Sequence, residues 1–128
     1  MNLIPFRTAL IDGNNVTGYS VYMYHFPETE DQGILLLHNM NGAKLDPNLP
    51  DLKKGKFQAI IRVGKSNFQS GYELSKLVIA TFKAVKRTTI NGVLIHFIEP
   101  MSDPIAYPVS KGNYIEFSCN FETAYTEH

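Results

Sequence analysis

A chain of 128 residues is long enough to bury one hydrophobic core, and we expect a single domain over residues 1–128. Its 12 basic and 12 acidic side chains cancel, which removes the overall positive charge that recruits nucleic acid or an anionic membrane. A single cysteine excludes an internal disulfide, and no apolar run approaches the roughly 20 residues of a membrane span, so we expect a soluble protein without a cleaved signal.

The first half of the chain predicts a short helix, two strands and a long loop. The apolar spacing over Asn2–Ile11, with Pro5 in the first turn, favours a helix. Tyr19–Phe26 alternates as a strand does, and the apolar run Ile34–His38 follows at hairpin distance. Met40–Gly55 contains Asn-Gly and Asp-Pro pairs and a further proline, so we expect a loop without regular structure.

The second half predicts a central strand, a long helix and two further strands. Lys56–Val63 alternates as a strand does, and Asn67–Lys86 has an apolar stripe at helical spacing. Val93–Pro100 and Asn113–Tyr125 again alternate. This order indicates an α+β fold: a mostly antiparallel, mixed sheet of about four to five strands, with one long helix and a short N-terminal helix packed on it.

The segment Gly64–Ser66 lies between a predicted strand and a predicted helix, where a phosphate-binding loop would lie. A Walker motif requires a second glycine five positions earlier, and Ala59 occupies that position. Ser66 and Gln69 instead match a capping box, in which the two side chains satisfy free backbone N–H groups at a helix start. We therefore expect a helix cap and no nucleotide site.

The remaining reactive side chains predict no chemistry. His25, His38 and His96 are isolated in predicted strands, and His128 is terminal, so none has the close spacing of a metal motif. No serine or cysteine has a neighbouring histidine that would act as its base. We expect no catalytic residue, no metal and no cofactor, and we expect Cys119 to be a small buried strand residue.

Two other classes of function remain open at this level. Lys53–Ile60 faintly resembles the nucleic-acid-contacting strand of RNA-recognition modules, with Tyr22, Tyr24 and Phe57 as stacking rings. However, Lys56 stands where that motif has an aromatic residue, which makes an RNA-binding module the weaker alternative. The other alternative is a small ligand-binding domain or an enzyme whose site is not visible in the sequence.

Several short motifs follow one another in a specific order. They are a strand ending at a proline (VYMYHFPE), a glycine-preceded strand (GILLLHNMNG), an Asp/Pro-rich loop (DPNLPDLKKG), a Phe/Gln strand with an arginine near its end (FQAIIRV), a helix opening with Gly71-Tyr72, and an apolar-x-Asn-Phe strand end (FSCNFE). Over about Val21–Glu122 this order resembles the tail terminator proteins of long-tailed bacteriophages, also described as minor capsid or tail-completion proteins. The glycine-rich N-terminal region and the stretch Met101–Gly112 depart from that pattern.

The resemblance implies a structural virion protein and not an enzyme. It implies a homohexameric ring in the neck of the particle, which caps the tail tube, stops its polymerisation and joins it to the head connector. The implied partners are further copies of the chain, the tail tube protein and the head-completion (stopper) protein. Membrane contact and specific nucleic-acid binding are not implied, although DNA passes through such a ring. Synthesis is expected in the host cytoplasm and residence in the virion tail.

The candidate partner contacts come from the two proline-rich loops. Lys53, Lys54 and Lys56 place three cations within four positions, and the resulting positive field would steer an acidic partner surface. The full set of candidate contacts is Asp46, Lys53, Lys54, Lys56, Asp103, Tyr107 and Lys111.

Overall fold

The computed structural model describes residues 2–13, 15–16, 18–26, 32–38, 44–46, 49–64, 67–108 and 114–127, with the backbone alone described at 44–46, 49–51 and 108. This part of the chain contains two helices and a mixed sheet of eight strands. The helices are α1 (Ile4–Asp12) and α2 (Phe68–Lys83). The strands are β1 (Val21–Met23), β2 (Gly33–His38), β3 (Lys44–Asp46), β4 (Leu49–Gly64), β5 (Thr88–Ile90), β6 (Val93–Pro100), β7 (Ile105–Pro108) and β8 (Tyr114–Glu127).

The centre of the sheet is a long antiparallel ribbon of β4 and β8. These strands pair continuously from Leu52 opposite Thr126 to Gly64 opposite Tyr114. The strand order is β1-β2-β4-β8-β6-β5, while β3 pairs with β4 and β7 pairs with β8. Each ribbon strand is therefore flanked by two shorter strands in succession, β3 then β2 along β4, and β7 then β6 along β8.

The core lies between one face of this ribbon and the two helices. Phe6 of α1 and Phe82 of α2 are both fully buried, and their ring centroids lie 5.0 and 5.2 Å from that of Phe57 on β4. Phe121 on β8 stacks on Phe57 at 5.2 Å. Burial of each large apolar side chain stabilises the fold by roughly 1.5–3 kcal/mol. Packing in this aromatic cluster is therefore a principal source of the free energy that holds the helices on the sheet.

Helix α2 follows from the spacing of its buried residues. Leu74, Val78 and Phe82 recur every four residues, and each is at most 2% exposed. Gly71 at its N-terminal end has no side chain, which permits close approach to Phe117 and Val63 of the ribbon. The absence of a side chain at Gly71 therefore sets how closely α2 packs on β4 and β8.

The α+β class is confirmed, but the expected sheet of about four to five strands with one long helix and a short N-terminal helix does not match the structure, which has eight strands and helices of 16 and 9 residues. Besides β1, three strands have only three or four residues, namely β3, β5 and β7. Strands this short carry no readable alternation and form because they pair with the long strands. The predicted helix over Asn67–Lys86 is a 16-residue helix ending at Lys83, accompanied by the 9-residue α1.

One local prediction fails. Met40–Gly55 is not an irregular loop, because β3 and the beginning of β4 lie within it and pair with each other. The expected capping box of Ser66 and Gln69 stays a prediction, because Ser66 lies outside the described residues; Asn67, directly before α2, makes no side-chain capping hydrogen bond. Gln69 donates to the Glu73 carboxylate at 3.3 Å.

The connection between the first two strands differs from the predicted hairpin. β1 covers only Val21–Met23 and pairs with β2 in parallel, with Val21 opposite Ile34. Tyr24 has a φ of 76°, in the left-handed region that an aromatic side chain rarely adopts, and its N–H donates to the carbonyl of Leu36. The chain therefore leaves the sheet directly after β1, and the strand is shorter than its alternating sequence predicts.

Candidate partner-binding surfaces

The three predicted lysine contacts lie at one end of the β4–β8 ribbon. Lys54 and Lys56 are exposed, and alternation along β4 puts them on the outer face of the sheet, away from the helices. Lys53 is on the opposite side, where its ammonium lies 3.3 Å from the Glu127 carboxylate. Two of the three predicted cations therefore share a face, and the third is engaged in an ion pair.

The outer face near these lysines carries both signs of charge. Lys56 stands directly opposite Glu122 on β8, and Glu122 stands directly opposite Glu99 on β6. All three side chains are exposed. A partner at this end of the ribbon therefore meets Lys54 and Lys56 together with the two carboxylates of Glu122 and Glu99, and not the purely basic patch that the sequence predicts.

The other predicted contacts are placed apart from the lysines. Asp103 precedes β7, and Tyr107 lies within it; both are exposed, Tyr107 by 46%. Tyr107 pairs with Glu116 of β8, whereas Lys56 pairs with Glu122. Six residues along a strand correspond to roughly 20 Å at about 3.3 Å per residue. The structure therefore divides the predicted residues between two surfaces.

Asp46 and Lys111 complete the predicted set. Asp46 ends β3, opposite Leu49 at the beginning of β4, and only its backbone is described. It belongs to the lysine end of the ribbon. Lys111 lies outside the described residues.

The β7 end of the ribbon also exposes apolar side chains that the sequence did not single out. Met101 is 47% exposed and Ile105 is 45% exposed, on either side of Asp103. The backbone N–H of Met101 still donates to the Asn120 carbonyl, so β6 and β7 follow one edge of β8 with a short interruption between them. Met101 and Ile105 flank this interruption, Ser102–Pro104, and their side chains are exposed at the edge of the sheet.

Next to β7, the outer face is organised by Arg62. Its guanidinium lies over the rings of Phe26 and Tyr114, 4.0 and 4.4 Å from their centroids. Its Nη2 lies 2.8 Å from a carboxylate oxygen of Glu116, and its Nε donates to the same atom at 2.9 Å. Both charged side chains are at most 24% exposed, which strengthens their attraction relative to a fully solvated pair. Sequence reasoning missed this cluster because it depends on the register of β4 against β8.

A second cluster that the sequence did not assign lies between the end of α2 and β6. Lys83, Lys86 and Arg87 line one side of an open cleft of about 490 Å³, and His96 and Glu99 line the other. The sequence signal was present, because three cations follow one another at a helix end. Their favourable interaction with the helix dipole is a sufficient reason for such cations, so the signal alone did not indicate a surface.

Cys119, His38 and His96 are of residue types often used in catalysis, and each is buried or hydrogen-bonded in the described part of the chain. No group of three or more histidine, cysteine, aspartate or glutamate side chains there could hold a metal ion. Cys119 is fully buried, and burial raises the pKa of its thiol to about 12. His96 contacts the Thr126 hydroxyl at 2.8 Å, and His38 contacts the Tyr24 hydroxyl at 3.3 Å. Each of these groups has a structural explanation.

The RNA-recognition alternative loses one of its rings. Phe57, expected to stack on a base, is fully buried beneath α1 and α2. Among the described helices, none is long and apolar enough to cross a membrane.

A comparison with known protein families gives a match that covers nearly the whole chain. A family model for bacteriophage tail terminator proteins matches residues 10–127. The chain belongs to the bacteriophage tail terminator family. No match is found among curated proteins.

Membership of the tail terminator family gives the surfaces a context. The family is structural, and its members are components of the virion tail. The match covers all eight strands and α2, and it begins inside α1. The ribbon and the surfaces at its two ends therefore belong to the terminator fold itself, whereas the first part of α1 precedes the matched region.

Proposed function

We propose that this tail terminator assembles as one domain per subunit into a hexameric ring that caps the tail tube, stops its polymerisation and joins it to the head connector. The chain is made in the host cytoplasm and acts in the neck of the virion. The observation that carries this proposal is the separation of two distinct exposed surfaces along the β4–β8 ribbon. A terminator must contact different proteins on its two sides, and the ribbon offers one end to each.

The two ends differ in chemistry, as two different partners would require. The lysine end carries Lys54 and Lys56 with Glu122, so charge dominates there. The β7 end exposes Met101, Ile105 and Tyr107, each between 45% and 47% exposed. Charged surfaces chiefly steer association, while large apolar side chains supply affinity once water is excluded.

A ring also requires contacts between copies of the chain. Identical subunits form a closed ring through a head-to-tail contact, in which two different surfaces of the chain meet. The sheet ends in different strands, β1 on one edge and β5 on the other, so its two edges offer such a pair of surfaces. Short exposed edge strands are natural material for contacts between chains.

The lysine end is tested by replacing Lys53, Lys54 and Lys56 together by glutamine. We expect the unfolding midpoint to change little, since the exposed Lys53–Glu127 pair contributes at most about 1 kcal/mol. Completion of tails should slow by about tenfold at low salt, because the steering field is lost. The difference from the unmodified chain should narrow as added salt screens the field.

The matched control is Lys76→Gln, which removes an exposed cation from α2 at a distance from the ribbon end. It should complete tails at the unmodified rate. If the triple variant also does so at every salt concentration, the lysines serve only solubility and the charged end has no docking role.

The β7 end is tested by the pair Ile105→Ser and Tyr107→Ser, whose side chains are nearly half exposed and contribute little to the core. Because the β7 end is expected to contact one partner, the variant should show one of two defects. Either the tube is capped but does not join heads, or the tube is not capped. Electron microscopy of the particles separates these outcomes. Normal particles from this variant would show that β7 contacts no partner.

A further inference from the structure

Four strands meet in one row on the outer face of the sheet. Gly33 on β2 stands opposite Arg62 on β4. Arg62 stands opposite Glu116 on β8, which in turn stands opposite Tyr107 on β7. Side chains directly opposite each other on neighbouring strands lie on the same face, with Cβ atoms about 4.5–5.5 Å apart. The row therefore leads without a gap from β2 to the exposed strand β7.

The guanidinium of Arg62 joins two rings from distant parts of the chain. Phe26 follows β1 and Tyr114 begins β8, and their ring centroids lie 4.0 and 4.4 Å from the guanidinium carbon. A planar guanidinium can stack on aromatic rings while it donates to a carboxylate, here that of Glu116. Arg62 therefore holds β4, the start of β8 and the chain after β1 together.

A glycine leaves room for this layer over β2. A Cβ built on Gly33 would lie 3.1 Å from Cε2 of Tyr22 and 3.5 Å from Cε1 of Phe26, at or inside the distance of about 3.5–4.0 Å at which carbon atoms pack favourably. The two rings pack edge to face, with their centroids 5.9 Å apart. Tyr22 and Phe26 therefore lie over β2 and extend the layer to the first strand.

Strand β7 contributes little to holding its own position. It has four residues, and among the described strands it pairs with β8 alone. Ile105, Ala106 and Tyr107 are all exposed, so burial stabilises β7 only weakly. Its position therefore depends on the start of β8, which is the stretch that Arg62 contacts.

We propose that Arg62 is a positioning residue for partner docking at the β7 end: it fixes the start of β8 against β4 and the Phe26 ring, and thereby presents Ile105 and Tyr107 on a preformed surface. The inference rests on the proposed docking role of the β7 end. A surface that is ordered before docking loses less conformational entropy when the partner binds. The Arg62 side chain is only 18% exposed, so it acts through the residues around it.

The first test measures the order of β7 in the purified chain. Arg62→Lys keeps the positive charge but lacks the planar group that stacks on Phe26 and Tyr114. Backbone amide relaxation, measured by nuclear magnetic resonance, should give Ala106 and Tyr107 order parameters of about 0.85 in the unmodified chain and below about 0.6 in the variant. The amides of α2 should keep their order parameters.

The second test measures docking on two probes, tail tubes and heads, each purified from phage that lack this chain. Arg62→Lys should weaken docking about tenfold, because ordering two side chains on docking costs about this much affinity. The weakened probe should be the one on which Ile105→Ser with Tyr107→Ser fails. Tyr114→Leu should have the same effect, whereas Tyr114→Phe, which keeps the ring, should dock normally.

The control for stability is Ile95→Val, which removes a methyl group from a fully buried side chain of β6. It should lower the unfolding midpoint and leave both the order of β7 and docking unchanged. All docking is measured well below the lowest midpoint, so that every variant is folded. A variant that is only less stable then docks normally, and a variant with a displaced β7 does not.

Four outcomes would overturn the inference or its basis. Unchanged order of β7 in Arg62→Lys overturns it, and so does unchanged docking of that variant. If Ile95→Val loses as much docking as Arg62→Lys, stability and not position is the cause. Normal docking of Ile105→Ser with Tyr107→Ser would instead refute the docking role of β7. Absence of docking by the unmodified chain on both probes would refute the proposed function itself.

Discussion

The close approach of α2 to the ribbon allows a prediction about the effect of a single added carbon atom, a Cβ at position 71. A Cβ built on Gly71 would lie 2.5 Å from the Phe117 ring and 2.6 Å from Val63 Cγ2, whereas carbon atoms pack favourably at about 3.5–4.0 Å. Phe117 and Val63 are at most 2% exposed, so neither side chain can turn into solvent. Gly71→Ala therefore forces α2 away from the sheet by about 1 Å at this end.

The expected magnitude combines two opposing effects. Overpacking a filled core costs about 1–3 kcal/mol, while replacing glycine by alanine inside a helix contributes about 1 kcal/mol in the stabilising direction. We expect a net loss of about 1 kcal/mol in the free energy of unfolding, or a midpoint lower by about 3–6 °C for a chain of this size. Urea unfolding followed by circular dichroism measures the first quantity, and calorimetry measures the second.

The control is Ser70→Ala, at an exposed position one residue earlier in the same helix, which should not destabilise the protein. A double variant with Val63→Ala removes one of the two clashing groups, so Gly71→Ala should cost less in that background. If Gly71→Ala leaves the free energy of unfolding of the otherwise unmodified chain unchanged, the close packing of α2 on the ribbon is wrong.

Three further predictions concern single side chains. Glu116→Gln should lower the free energy of unfolding by about 1–2 kcal/mol, since it replaces the partly buried carboxylate that accepts from Arg62 by a neutral amide; an unchanged urea midpoint would contradict this. Cys119, whose pKa burial raises to about 12, should resist thiol reagents at pH 8 until the protein is unfolded in urea, and rapid labelling of the folded protein would contradict its burial. Burial lowers the pKa of His38 below its usual 6.5, so the unfolded chain takes up this proton at a higher pH than the folded chain. The free energy of unfolding should therefore decrease as the pH falls through about 6.5. His38→Gln should flatten that part of the dependence of stability on pH, and an unchanged dependence would exclude His38 as its cause.

The long elements of the fold could be predicted from the sequence because each has its own periodic pattern. Phe57, Ile61 and Val63 alternate along β4 with partly exposed residues, and all three are buried as the alternation predicts. The Asn91-Gly92 turn also has the positive φ angles, 51° and 78°, that such a pair favours, and it connects β5 to β6. Local chemistry was sufficient in these cases.

The short strands and the placement of the predicted contacts required the tertiary structure. β7 forms because β8 presents a free edge, and its four residues hold no pattern that distinguishes them from a proline-rich loop. Strand pairing also decides which contacts share a surface, and pairing between residues 66 positions apart, such as Lys56 and Glu122, is not encoded locally. The parallel β1–β2 pair was missed for the same reason, since alternation gives no strand direction.

The central claim, that this chain terminates tails, is tested most directly by tail length in phage that lack it. In cells infected with phage in which this chain is removed, the account predicts tubes that grow beyond the normal length and remain unattached to heads. Adding the purified chain to such an extract should yield tubes that stop growing, each with a six-subunit ring at one end. Tails of normal length joined to heads in the absence of the chain would contradict the account.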